Sequence, residues 1–144
     1  MQYQSHGKFT IWRHKNILLA ELIGSWNEQS ALQFEAAFKK IAITMPKPWA
    51  HIVYLNDWEL CVPEMYSIIE RLVAWCIDNG LVKAANIYAT SAIKSEILNK
   101  MIVSKQGDFE RAVFDSERDA KLWLDDAGFA IPEEATIRYL KASY

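Results

Sequence analysis

The stretch KPWAHIVYLNDWELCVPEMYSIIERLVAWCIDNG, residues 47–80, decides the fold. Trp49 to Leu55 is a near-continuous apolar run broken only by His51, which suits a strand covered on both faces. A polar and aromatic cluster, Asn56-Asp57-Trp58-Glu59-Leu60-Cys61, stops that strand. The chain then restarts as a helix at Pro63, whose missing N–H costs little at a first helical position. Met65, Ile68, Ile69, Leu72 and Cys76 recur at helical spacing, and Gly80 supplies a C-terminal cap. Strand, turn and helix in this order mark an α/β domain, in which strand-end turns commonly hold the working residues.

Working outward gives the remaining elements. Lys8 to Lys15 and Ile17 to Ile23 read as two strands three residues apart, hence a hairpin. Ser25 and Glu28 have capping-box spacing, with Asn27 as a rival cap. Phe34, Phe38, Ile41, Ala42 and Met45 form the stripe of the helix that follows, and Pro46 and Pro48 end it. Downstream, the pattern predicts a strand over 84–90 and a helix capped by Ser91 with Ile93, Ile97, Leu98 and Met101 inward. A strand over 109–114 and a helix capped by Ser116 and ended by Gly128 follow, then a C-terminal extension over 129–144 with a short helix docked by Ile137, Tyr139 and Leu140. The predicted fold is α/β, a mixed sheet of about five strands with about four helices in the order β-β-α-β-α-β-α-β-α, within one domain spanning 1–144.

The totals exclude several functions. With 144 residues, 51% of them apolar and 24% charged, the chain is of globular type and long enough to bury a core unaided. Sixteen basic residues are dispersed among 18 acidic ones, so neither a nucleic-acid groove nor an anionic membrane surface is expected. No apolar run approaches the roughly 18 residues of a membrane span. The polar N-terminus lacks a signal-peptide core, and the two cysteines, Cys61 and Cys76, form no C-x-x-C. A cytoplasmic protein with reduced thiols, no metal and no cofactor is therefore expected.

The element order, the strand AHIVYLND (50–57) running into the helix PEMYSIIERLVAWCIDNG (63–80), and the block FERAVFDSERDAKLWLDDAGF (109–129) together resemble the SpoIIAA-like, or STAS-like, domain, in its uncharacterised bacterial branch. The resemblance covers about residues 8–128. In anti-sigma-factor antagonists of this fold, the third strand leads to an Asp-Ser-Ser-Gly-like turn whose serine a partner kinase phosphorylates. Here that turn falls on Pro63-Glu64-Met65-Tyr66, without a serine; Ser67 lies further into the helix. The resemblance thus implies a regulatory or interaction module without the phospho-switch. Glu64 places a fixed carboxylate at the helix start, where it complements the dipole or stands in for a phosphoserine.

Three readings of function follow. A non-enzymatic module would dock a protein partner, or a second copy of the chain as a homodimer, through Trp58, Leu60, Glu64, Met65 and Tyr66, with Trp58 as an exposed anchor or folded back on its own domain. A small apolar-ligand binder is the alternative, because SpoIIAA-like domains resemble the lipid-binding CRAL-TRIO fold; its pocket would lie among Phe34, Phe38, Met65 and Ile69, residues that otherwise serve as plain core. An enzyme would use Cys61 with His6, His14 or His51, or the Asp57/Glu59 carboxylate pair. No motif ties a histidine to Cys61, and the five glycines form no phosphate loop, so an enzyme is not expected.

Overall fold

The computed structural model describes residues 7–137 and residue 141, without the side chains of Leu60 and Cys61. Among these residues it shows seven strands and four α-helices in a mixed sheet. Strands β1 (Lys8–His14) and β2 (Ile17–Trp26) form the antiparallel hairpin. Helix α1 (Glu28–Ala42) leads to β3 (Trp49–Tyr54), β4 (Trp58–Cys61), a 3-10 turn at Pro63–Met65 and α2 (Tyr66–Asp78). Then come β5 (Leu81–Ile87), α3 (Ala92–Met101), β6 (Lys105–Gln106), β7 (Phe109–Phe114), α4 (Glu117–Asp126) and a 3-10 turn at Glu133–Ala135.

The sheet order is β1-β2-β3-β5-β7-β6, parallel from β2 through β7, and β4 also pairs with β2. From β2 to β7 each crossover moves one strand along in the same direction. Right-handed connections of that kind lay successive helices on one face. On that face Leu18, Ala20 and Leu22 of β2 meet Phe34 and Phe38 of α1, Ile69 and Leu72 of α2, and Leu98 of α3. The alternate residues, Ile17 and Leu19 with Ile52 and Ile87, face α4 and the segment Phe129–Ala135. This period-2 division explains why β3 reads as continuously apolar: both of its faces are covered.

Several boundaries differ from the sequence reading, each for a local reason. β2 runs on to Trp26 because β4 pairs with its last residues, Gly24 opposite Trp58 and Trp26 opposite Cys61. Ser25 is therefore strand, its hydroxyl donates to Glu59 at 2.9 Å, and Asn27 alone caps α1 by accepting from the Ser30 N–H at 2.9 Å. β5 starts three residues early, at Leu81, immediately after Gly80 (φ +99°), so the strand begins where the helix cap releases it. The two short strands β4 and β6 carry no periodic signal of their own. The C-terminal segment is held by Phe129, Ile131 and Ala135 in the second core and by the Trp12 indole N–H donating to the Ala135 carbonyl at 2.8 Å. Ile137 packs against the same core, whereas Tyr139 and Leu140 lie outside the described residues.

Candidate functional site

β3 ends at Tyr54, and the turn Leu55–Asp57 offsets the chain before it resumes as β4. Three contacts fix the turn. The Asp57 carbonyl accepts from Gly24 N–H at 2.9 Å, the Asn56 side chain accepts from Ala89 N–H at 2.8 Å, and Lys94 Nζ donates to the Leu55 and Asn56 carbonyls at 2.7 and 3.1 Å. Lys94 thereby ties the first turn of α3 to the end of β3. Asp57 and Glu59 both act on this ammonium; their charges favour its protonation, but partial burial prevails and pushes its pKa below the usual lysine value. Among the described residues no group of three or more histidine, cysteine or acidic side chains could hold a metal ion.

Register also separates the enzyme candidates. Leu18 of β2 is opposite His51 and Ile17 is opposite His14, whereas Trp26 is opposite Cys61. Eight or nine strand residues at about 3.3 Å each put both histidine positions on the order of 25–30 Å from the Cys61 position, beyond the reach of a nucleophile–base pair. His51 instead donates from Nδ1 to the Leu18 carbonyl at 2.7 Å beneath an edge-on Phe38 ring, and burial pushes its pKa down to about 4. Burial likewise pushes the Cys76 thiol up to about 12. The Cys61 side chain and His6 lie outside the described residues.

The surface expected from Trp58, Leu60, Glu64, Met65 and Tyr66 is not assembled as such. Trp58 is 2% exposed and Met65 1%, both in the core between the sheet and α2. Their burial follows from the β2–β4 pairing, which turns the Trp58 ring under the helix instead of leaving it in a loop. Glu64 is exposed and Tyr66 half-buried, while the Leu60 side chain lies outside the described residues.

What the core does contain is a cavity of about 90 Å³ between the sheet and the α2–α3 layer. Phe34, Phe38, Met65 and Ile69, the four residues expected to line an apolar pocket, all line it. Four residues with polar side-chain groups break its otherwise apolar wall: His51, Trp58, Asn86 and Arg111. Asn86 and Arg111 sit on neighbouring strands, since Arg111 pairs with Ala84, two residues before Asn86 and on the same face. Arg111 is 8% exposed and Asn86 2%. Arg111 Nη2 donates to the Asn99 side chain of α3 at 2.7 Å, but its Nε and Nη1 have no partner, nor do Asn86 Oδ1 and Trp58 Nε1. Burial lowers the Arg111 pKa, yet a guanidinium keeps its proton in proteins. A surface groove of about 290 Å³ between α2 and α3 shares Val73, Met101 and Ile102 with the cavity.

Arg111 and Asn86 were not among the residues singled out from the sequence. The signal was present: Phe109 and Arg111 alternate onto one strand face, as do Ala84 and Asn86, so a cation and an amide fall where the period-2 pattern demands apolar side chains.

No family model and no curated protein matches the chain. Among solved structures it is similar to an uncharacterised protein of the DUF3478 family, with a SpoIIAA-like fold, from Shewanella loihica PV-4. The TM-score is 0.61 at 13% identity, covering 86% of this chain and 98% of that one. No helix among the described residues is long and apolar enough to cross a membrane. With its hairpin, its parallel β-α succession and this structural likeness, the chain has a SpoIIAA-like fold.

Proposed function

We propose that this chain is a non-enzymatic binding module that takes a small molecule into the cavity between its sheet and helices α2 and α3. The cavity itself carries this reading. Interiors are packed to leave few voids larger than a water molecule, whereas about 90 Å³ remains here in the middle of the core. An engineered apolar cavity of about 150 Å³ accepts benzene or xenon, so this one suits a body smaller than benzene. The separation of the His14 and His51 positions from Cys61, together with the Glu59 carboxylate's hydrogen bond from Ser25, supports binding over catalysis. Two cysteines, too few for a disulfide framework, support a reducing, cytoplasmic setting, and the resemblance a bacterial one.

Two measurements test the binding reading together. Native mass spectrometry of gently purified protein should show added mass that denaturation removes, and crystals pressurised with xenon should show xenon between Leu72 and Leu98. A clean apo mass with no xenon in the cavity would overturn it.

A partner-docking role is the second reading. It is favoured by the exposed run Val62-Pro63-Glu64 beside half-buried Tyr66 at the start of α2, the segment that relatives of this fold use for regulation. Glu64→Lys and Tyr66→Ala should then reduce self-association in sedimentation or capture of a partner. Unchanged behaviour in both assays would remove this surface. Trp58→Ala is no test of docking, because that ring is core.

A further inference from the structure

The cavity's unpaired atoms are of a particular kind. Three are donors (Trp58 Nε1, Arg111 Nε and Arg111 Nη1) and one is an acceptor, Asn86 Oδ1. All belong to side chains more than nine-tenths buried. Arg111 also brings a full positive charge, and among the described residues its hydrogen-bond partner is the neutral Asn99 amide rather than a carboxylate. A buried charge without a counter-charge is strongly unfavourable. Water could satisfy the donors but would leave the charge uncompensated.

We propose that the cavity is a site for a short-chain monocarboxylate, with Arg111 as its counter-ion. This rests on the binding reading given above and names the ligand's class. Nη2 of a guanidinium carries two hydrogens, one on each edge. Asn99 occupies one edge, and the other, Nη2 with either Nε or Nη1, is open to both oxygens of a carboxylate in the forked geometry that arginine favours. Trp58 Nε1 adds a donor at the same cavity, and Asn86 Oδ1 accepts from a ligand hydroxyl or a water beside it. Most of the remaining wall, including Leu72, Val73, Leu98 and Phe109, is hydrocarbon and receives the short tail. The volume of about 90 Å³ excludes a long acyl chain.

The experiment compares propionate with propionamide, its neutral near-isostere, at constant ionic strength with chloride as the balancing anion. Binding is read by calorimetric titration and by the rise of thermal midpoint with ligand concentration. Wild-type protein should bind propionate and raise its midpoint progressively, with propionamide at least about tenfold weaker. Arg111→Met, which keeps much of the stem and deletes the charge, should fold and lose the propionate response. Should that variant not fold, Trp58→Phe keeps an aromatic ring, removes one donor and should weaken propionate by about three- to tenfold. Equal binding of propionate and propionamide, or an undiminished propionate response in these variants, would overturn the carboxylate assignment while leaving the cavity a binding site. No response to either compound would overturn the assignment too, and with no xenon uptake and a clean apo mass the binding reading falls with it.

Discussion

The Tyr54 hydroxyl, at the carboxyl end of β3, donates to the Glu117 carboxylate in the first turn of α4 at 2.6 Å, while its ring stacks on Trp12 with centroids 6.0 Å apart. This contact pins the α4 layer to the sheet. Tyr54→Phe keeps the stack and removes the bond, so it should destabilise the protein by about 1–2 kcal/mol in urea unfolding. Burial, then the Glu117 carboxylate, raise the Tyr54 pKa far above the ordinary phenol value. The stability tied to the neutral phenol is complete below the unfolded value of about 10 and is lost as pH climbs beyond it. The Phe variant should consequently lose less stability than wild type on the alkaline side, and parallel alkaline curves would refute the assignment.

His51 governs the acid side. Its pKa falls from 6.5 to about 4 on folding because burial penalises the imidazolium. The unfolded chain therefore takes up a proton that the native one refuses, and stability declines as pH drops from about 6.5 to about 4. The loss should reach up to about 3 kcal/mol by the lower end. His51→Gln should flatten the curve in that window, leaving the steeper fall below it to carboxylates such as Glu35, whose pKa is lowered chiefly by its hydrogen bond with Arg71.

The Cys76 thiol, buried and with its pKa pushed up to about 12, should resist iodoacetamide at mildly alkaline pH until the protein unfolds. Peptide mapping by mass spectrometry distinguishes it from Cys61. Rapid native labelling at Cys76 would show that the core around α2 opens far more readily than this packing allows.

Helix α3 packs Leu98 and Met101 into the core, and Lys94 and Asn99 add polar ties from it to the sheet side. Lys94→Met should release its first turn from the Leu55 and Asn56 carbonyls. Amide hydrogens of α3 should then exchange severalfold faster, with those of β3 and β5 unchanged. Uniform acceleration across the sheet would mean that the helix is not a separate unit of opening.

The parts legible in the sequence are those with a period or a cap. The helix stripes, Ser91 and Ser116 at their helix starts, and the two-sided burial of β3 all follow from local pattern. The lost parts depend on who pairs with whom. Trp58 looked like a loop anchor because nothing local says that β4 will add to the end of β2 and carry the ring under α2. Asn56, Asp57 and Glu59 resembled a reactive turn because reactive and structural turns use the same residues. Their partners, Ala89, Gly24 and Ser25, are remote in sequence. The pocket lining was partly foreseen through Phe34, Phe38, Met65 and Ile69, whereas its polar members required the strand register to align them.

The cavity also gives the protein a mechanical signature. Empty space inside a fold disappears when the chain unfolds into water, so unfolding reduces the volume of the system. Hydrostatic pressure acts directly on that difference. The apo protein is thus built to yield to compression at the α2–α3 layer first, and an occupant that fills the void would harden it there.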